Sequence, residues 1–319
     1  MFRSKSSRVD EIQQELAWGI SQEGKPLTLG FKLPREITVT RASVLQGKAR
    51  GLTKKKGMII DLLCDGDRKL FWPCAHRLIN GVTRSGKTVH LYWGMYVCSQ
   101  VLGRYAEMCL VDPTGIVGRA FANAVYPVSG AFVNDPQQWV RVLEGVHSEM
   151  VSRIDSLASS GADKWEEFGE KRKKLILVLE EYAFQQEAMN LLDKRLAKRY
   201  QALLFNILSN GLKAGVEVWI STQSSLTTCL PSALRDSFSE RVILKSQPST
   251  VRALAEATDE QIALLQSCPP GIGLYLSPSQ ENVSGELMRC RHLPYKDLRE
   301  LLREGHYHKG QCQSRGRGP

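Results

Sequence analysis

The spacing of apolar residues changes near residue 74. Before it, four apolar residues recur at roughly helical spacing, which predicts one short amphipathic helix: Val9, Ile12, Leu16 and Ile20. Residues 27–70 carry short runs of Thr, Val, Leu and Ile broken by glycines, with predicted strands at 37–40 and 58–63. This region is either a small β-rich module or an extension of the sheet predicted downstream.

From Cys74 onward, short apolar runs alternate with long helical stretches. The predicted strands are Arg77–Asn80, Met108–Val111, Leu175–Leu179, Gly215–Ile220, Val242–Leu244 and Gly273–Leu276. The predicted helices are 89–102, 135–157 with Asp135 as N-cap, 182–210 and 293–304. This alternation predicts an α/β fold with a mostly parallel central sheet of at least five to six strands, flanked by helices.

Residues 81–88 read GVTRSGKT and match every fixed position of the phosphate-loop pattern G-x-x-x-x-G-K-[ST]. A predicted strand precedes the loop and a predicted helix follows it, as such a loop requires. Lys87 would neutralise the β- and γ-oxygens of ATP, and the Thr88 hydroxyl would bind Mg²⁺. The predicted nucleotide-binding residues are Gly81, Val82, Thr83, Arg84, Ser85, Gly86, Lys87, Thr88 and Val89.

Polar residues follow three of the predicted strands. Glu180 and Glu181 come directly after five consecutive aliphatic residues, a pattern typical of the acids beside a phosphate loop. The first acid would approach Mg²⁺ and the second would polarise the attacking water. Asp112 and Gln223 each end another strand, and Gln223 is predicted to contact the γ-phosphate or the water.

The net charge is +10 and lies in the two ends of the chain. Residues 1–57 hold twelve Lys or Arg against five Asp or Glu, and residues 291–319 hold seven against three. The central part, residues 58–290, is nearly neutral and forms the predicted ATPase domain. Basic arms around a neutral core favour a polyanionic partner, nucleic acid or an anionic membrane, although plain solvated ends would have the same composition.

Other classes are disfavoured. The apolar runs are shorter than the roughly 18–20 residues that a membrane span needs, so no transmembrane segment is expected. The basic N-terminus has no apolar signal region, which predicts a cytoplasmic protein. The eight cysteines form no C-x-x-C pair, so neither a zinc knuckle nor a disulfide framework is indicated.

Five stretches, in this order, resemble motifs of the FtsK/SpoIIIE family of DNA translocases, in the FtsK–HerA branch of P-loop ATPases with a RecA-like fold. They are His76–Val89, Val111–Pro113, Glu149–Arg153, Ile220–Gln223 and Ser239–Val242. The resemblance implies a homohexameric ring that threads double-stranded DNA, with membrane-associated transfer machinery as a further partner. It also implies an arginine offered to the γ-phosphate of the neighbouring subunit, for which Arg241 matches best and Arg235 is the reserve.

The chain departs from the family pattern at several positions. Glu180 stands where the family has Asp, and Gly211–Gly215 lacks the family's arginine. Residues 161–165 read GADKW in place of the family's basic pore loop, so Lys164 and residues 171–174 would have to supply the phosphate contacts. The compact length is similar to that of members carried by mobile elements or phages.

Three functions follow from these patterns. The first is a DNA-translocating ATPase, for conjugative transfer or for phage genome packaging. The second is a DNA-binding ATPase that acts as a switch or loader without processive movement. The third is a small-molecule kinase, which shares the phosphate loop alone.

Overall fold

A computed structural model describes residues 17–21, 26–28, 57–61, 69–73, 75–100, 106–122, 124, 126–165, 167, 173–223, 230–276, 285–290, 293–300 and 302. The predicted strand at 37–40 and the charged ends beyond these ranges lie outside the described residues.

The core of the protein is a ten-stranded sheet in the order β2-β1-β12-β11-β10-β5-β9-β8-β6-β7, and β3 and β4 form a separate two-stranded sheet. The strands are β1 (Ala17–Ser21), β2 (Pro26–Thr28), β3 (Gly57–Asp61), β4 (Lys69–Pro73), β5 (Arg77–Asn80), β6 (Ala106–Val111), β7 (Ser129–Ala131), β8 (Lys174–Leu179), β9 (Val216–Thr222), β10 (Glu240–Leu244), β11 (Ile272–Leu276) and β12 (Glu286–Cys290).

Six neighbouring strands, from β10 to β7, run parallel. The others extend the sheet antiparallel beyond β10. The inner parallel strands β5, β9 and β8 are buried on both faces because helices cover them, which explains the aliphatic run of β8. Their carboxyl ends meet along one edge of the sheet, called here the carboxyl edge, and the opposite edge is the amino edge.

The helices pack on the two faces of this sheet. They are α1 (Lys87–Gln100), α2 (Ile116–Phe121), α3 (Pro136–Ser160), α4 (Tyr182–Leu192), α5 (Lys194–Asn210), α6 (Ser232–Arg235), α7 (Pro248–Leu254) and α8 (Asp259–Ser267). A 3₁₀ turn spans Gly211–Ala214, and residues 295–300 are helical. One apolar core contains side chains of α1, α2 and residues 293–302, and the other contains those of α3, α4, α5, α7 and α8.

The predicted α/β fold with a mostly parallel sheet is confirmed, and β5 has the predicted bounds. The predicted N-terminal helix is wrong over Ala17–Ile20, which belong to β1, a strand that pairs with β12 and β2. Residues four apart lie on one face of a strand as well as on one face of a helix, so this spacing fits both structures. The predicted helix 182–210 is two helices, because Asp193 leaves the helical conformation at φ −159° and caps α5.

Candidate functional site

The phosphate loop lies at the carboxyl edge, between β5 and α1. Its first two amides are held by neighbouring strand ends: Gly81 N donates to Thr222 O at 3.2 Å and Val82 N to Lys245 O at 2.8 Å. A Cβ on Gly81 would lie 2.4 Å from Ser85 Oγ and 2.9 Å from Leu244 Cβ, so this position requires glycine. The close packing leaves the loop backbone as the inner wall of the site.

The second half of the loop contains two residues with positive φ. Gly86 has φ +105°, and Arg84 has φ 64° with an exposed side chain. The loop is supported from the antiparallel side of the sheet, where Gly271 N donates to Ser85 O at 2.8 Å. The loop then enters α1 at Lys87, which aims the amino end of a 14-residue helix at the site.

Lys87 is buried at the centre of the site. Its ammonium donates to Val82 O at 3.2 Å and lies 3.8 Å from the Glu181 carboxylate. Burial lowers the pKa of Lys87, and the nearby Glu181 and Glu180 oppose that shift. A partly desolvated ammonium with one loose acidic partner is suited to bind a phosphate anion.

Glu180 and Thr88 form the part of the site that fits a divalent cation. Thr88 Oγ1 donates to Glu180 Oε1 at 3.3 Å, and the buried Glu180 Oε2 has no hydrogen-bond partner among the described residues. Burial, Glu181 and Asp112 raise the pKa of Glu180 to about 8. A hydroxyl beside a buried carboxyl group with one oxygen free of hydrogen bonds to the described residues fits the oxygen-rich coordination of Mg²⁺.

Glu181 and Gln223 are brought together as predicted from their strand ends. Gln223 Nε2 donates to Glu181 Oε2 at 3.0 Å, and Thr83 Oγ1 donates to Gln223 Oε1 at 2.9 Å. Glu181 has φ 51°, a left-handed conformation that is costly for a residue with a side chain. The amide of Gln223 therefore connects the phosphate loop to the strained acid.

Asp112 has a structural role at this edge. Its carboxylate accepts hydrogen bonds from Thr114 N at 2.9 Å, Thr114 Oγ1 at 2.7 Å and Gly118 N at 3.0 Å. These bonds fix the turn into α2, and the Thr88 hydroxyl donates to Glu180 instead.

The structure does not bring Arg241 to the site of its own subunit. Arg241 lies near the start of β10, at the amino edge, where its guanidinium donates to Phe238 O at 2.8 Å, Leu254 O at 2.7 Å and Arg235 O at 3.2 Å. Arg235 lies beside it, half-buried, and its Nε has no hydrogen-bond partner among the described residues. Of the two arginines, Arg235 has the side chain with fewer hydrogen bonds to the described residues.

The predicted phosphate contacts after α3 are placed differently. Lys174 is buried and its ammonium lies 2.6 Å from Glu217, so the interpretation of Lys174 as a phosphate contact is wrong. Trp165 is also fully buried, with the Arg153 guanidinium 4.4 Å from its ring centre. Lys164 is exposed, and residues 171 and 172 lie outside the described residues.

Sequence reasoning missed Gln185. Its buried amide donates to Glu180 O at 2.7 Å and accepts from the Tyr200 hydroxyl, which ties the two acids to α4 and α5. A glutamine inside a predicted helix gives no signal of this contact, because the contact depends on how two helices pack.

In the part of the chain that the structure describes, no helix combines the length and the apolar character needed to cross a bilayer.

Comparison with known proteins gives structural neighbours alone. No model of a known protein family matches the chain, and no curated protein sequence matches it. The pCW3 conjugation coupling protein TcpA, solved as a monomer with ATPγS, has a TM-score of 0.57 at 15% identity over 88% of this chain and 77% of that chain.

Two further ATPase structures are similar to the same degree. The cytoplasmic domain of the Type VII secretion ATPase EccC from Thermomonospora curvata has a TM-score of 0.58 at 17% identity, over 84% of this chain and 33% of that chain. EssC (ATPases 2 and 3) from Geobacillus thermodenitrificans has a TM-score of 0.57 at 12% identity, over 88% of this chain and 51% of that chain. At these identities the likeness establishes the shared fold.

Proposed function

We propose that this protein is an ATP hydrolase that moves double-stranded DNA, within an FtsK/SpoIIIE-type ring. The observation that carries the proposal is the convergence of five side chains at the carboxyl edge: Lys87, Thr88, Glu180, Glu181 and Gln223. Each has the chemistry that nucleoside triphosphate hydrolysis needs.

Binding of the triphosphate is assigned to the phosphate loop. Its backbone amides and the amino end of α1 would hold the β-phosphate, and the Lys87 ammonium would pair with the β- and γ-oxygens. Because Lys87 now faces Glu181 at 3.8 Å, phosphate oxygens would take over part of that ion pair. Thr88 and Glu180 would hold Mg²⁺, which supplies charge neutralisation on the phosphates.

We assign to Glu181 the role of orienting the attacking water. Its carboxylate would accept the hydrogen bond that orients a water toward the γ-phosphorus, and Gln223 keeps that carboxylate in place through the 3.0 Å bond. The bond from Thr83 to Gln223 makes the position of the amide depend on the phosphate loop. Loss of the γ-phosphate would then change the position of the Glu181 carboxylate through the Gln223 amide.

DNA as the substrate rests on the basic arms, the motif resemblance and the neighbour TcpA, a conjugation coupling protein. Transfer of a mobile element's DNA is the process that these features favour. A hexameric ring would place an arginine of one subunit at the γ-phosphate of the next. Arg241 is the motif match for this role, and Arg235 is favoured by its freer guanidinium.

The experiment is a phosphate-release assay with and without duplex DNA, together with displacement of a triplex-forming strand. A translocase releases phosphate faster with duplex and displaces the third strand, and Lys87→Ala loses both activities. Stimulation without displacement would favour a switch or loader, and hydrolysis that ignores DNA would contradict the proposal. Arg241→Ala and Arg235→Ala, mixed with active-site variants, identify the arginine that acts between subunits.

A further inference from the structure

The turn between α4 and α5 exposes an unusual group of side chains. Leu191 and Leu192 are 82% and 60% exposed, and three exposed cations follow them at the start of α5. We call this group the basic tip: Leu191, Leu192, Lys194, Arg195 and Lys198. None of the three cations forms an ion pair with a described acid.

The fold itself gives no reason for these cations. The first turn of a helix carries partial positive charge, so Lys and Arg there oppose the helix dipole. Helix α5 has no acid in its first turn, and the nearby Asp193 carboxylate is occupied by the amide of Arg195 at 2.7 Å. Exposed cations next to exposed leucine side chains therefore indicate a partner surface that is acidic and partly apolar.

The amino end of α8 has the complementary composition. Glu256, Asp259 and Glu260 are exposed there, and Leu264, one turn beyond Glu260, is 42% exposed. We call these four residues the acidic face. The Asp259 carboxylate forms an ion pair with the Arg252 guanidinium at 2.7 Å. The two glutamates form no ion pair within the described part of the chain.

The two surfaces lie at opposite edges of the sheet. The basic tip lies at the carboxyl edge, since α4 begins directly after Glu181, and Gln185 near its start reaches Val111 O at the end of β6. The acidic face lies at the amino edge, where Gln261 of α8 donates to Gly285 O at 3.4 Å, beside the end of β11. Two different complementary surfaces at opposite ends allow head-to-tail contact between identical chains.

We propose that the basic tip of one protomer docks on the acidic face of a second copy of this chain. This contact is heterologous, so repetition closes a ring or extends a filament. The inference rests on the proposed function where it concerns ATP: docking turns the edge that carries Arg235 toward the neighbouring edge that carries Lys87 and Glu181. It also connects α4, which begins directly after Glu181, to α8, whose following loop supports the phosphate loop through Gly271.

The test is sedimentation velocity of the full chain with ATP and Mg²⁺. Variant T carries Lys194→Glu, Arg195→Glu and Lys198→Glu, and variant A carries Glu256→Lys and Glu260→Lys. Each alone should assemble at least about tenfold more weakly than the wild type, since like charges then face each other. A control with Lys296→Glu and Arg299→Glu, on the opposite face of the sheet, should assemble as the wild type does.

Mixing T with A is the decisive step. A head-to-tail contact lets the acidic tip of T dock on the basic face of A, and the basic tip of A on the acidic face of T, so the mixture should assemble within about threefold of the wild type. Failure of the mixture to recover, with melting temperatures like that of the wild type, would overturn the proposal. So would normal assembly of T, or a wild type that stays monomeric.

Other partners give distinct outcomes. If T assembles normally and loses binding to duplex DNA or to vesicles of anionic phospholipid, the tip is a polyanion surface and the proposal is wrong. Phosphate release measured on the same samples separates the two proposals. A wild type that assembles through these surfaces without hydrolysing ATP leaves the contact standing and removes the proposed ATPase.

Discussion

At the scale of single residues, a side chain was predictable where the chemistry fixes both its type and its spacing. The glycines, Lys87 and Thr88 follow from the loop pattern, and Glu181 and Gln223 follow from their places at strand ends. The bond from Thr83 to Gln223 was not predictable, because it depends on side-chain conformations across 140 residues of sequence. For the same reason the sequence did not reveal that backbone carbonyls hold Arg241.

The link between Thr83, Gln223 and Glu181 leads to a first prediction. Gln223→Ala should lower the turnover number of ATP hydrolysis by about 10- to 100-fold, because Glu181 loses the donor that orients it. Thr83→Val, which keeps the shape and removes the donor, should have a smaller effect in the same direction. Steady-state hydrolysis with a fluorescent-nucleotide binding measurement checks both, and a large loss of nucleotide affinity in Gln223→Ala would contradict the assigned role.

Two glycines give a matched pair of variants. Gly81→Ala forces a Cβ to within 2.4 Å of Ser85 Oγ, so the phosphate loop must shift and nucleotide binding should fall at least about tenfold. A Cβ at Gly145 meets nothing within 4 Å, and alanine inside α3 should raise the free energy of unfolding by about 0.5–1 kcal/mol. Nucleotide titration and urea unfolding of both variants test this, and unchanged binding in Gly81→Ala would refute it.

At the scale of elements, the buried parallel strands were the most predictable, because two helix-covered faces demand a continuous apolar run. Leu175–Leu179 illustrates this, and β8 extends the run by one residue. Predictions failed where the local pattern fits two structures. Ala17–Ile20 lies in a stretch with helical spacing and still forms β1, because hydrogen bonds to the neighbouring strand β12 stabilise the extended conformation. The break at Asp193 was missed because the flanking residues are all good helix formers.

Helix α3 offers a test of its predicted start. Asp135 caps the helix by accepting from Gln137 N at 3.0 Å and Gln138 N at 3.3 Å. Asp135→Ala should therefore measurably lower the free energy of unfolding. Asp155→Ala, at an exposed position in the C-terminal part of the same helix, should change it by less than about 0.5 kcal/mol. Urea unfolding compares them, and equal effects would argue against the cap.

At the scale of the whole molecule, the two edges of the sheet divide the polar chemistry. The carboxyl edge holds the candidate site. The amino edge holds a buried ion network in which Arg77 lies 2.6 Å from both Glu217 and Glu240. Lys174 lies 2.6 Å from the same Glu217, so four adjacent strands, β8, β9, β5 and β10, are joined there. Arg77 and Glu217 lie inside predicted strands, and Lys174 and Glu240 lie just before two others. None of the four indicated this network, because the partners are far apart in sequence.

His76 makes the stability of the molecule depend on pH. Its ring donates from Nε2 to Leu208 O and accepts at Nδ1 from Val218 N, which requires the neutral form, and burial lowers its pKa to about 4. The unfolded chain binds this proton below about pH 6.5, so stability should be complete above that pH and fall as the pH drops toward 4. At pH 5 the loss from His76 is about 2 kcal/mol.

Urea unfolding at pH 7.5 and pH 5 measures this effect. His76→Gln, which can keep both hydrogen bonds, should lose about 2 kcal/mol less than the wild type between the two values. The His76 ring signal in NMR should show no titration above about pH 5. A midpoint near 6.5 would show that the ring is not buried in its neutral form.

The central claim, that Glu181 activates water on a nucleotide held by Lys87, is tested most directly by phosphate release from the variant Glu181→Gln. With saturating ATP, Mg²⁺ and duplex DNA, this variant should bind ATP about as tightly as the wild type and release phosphate at least about 100-fold more slowly. Phosphate release at the wild-type rate would contradict the account.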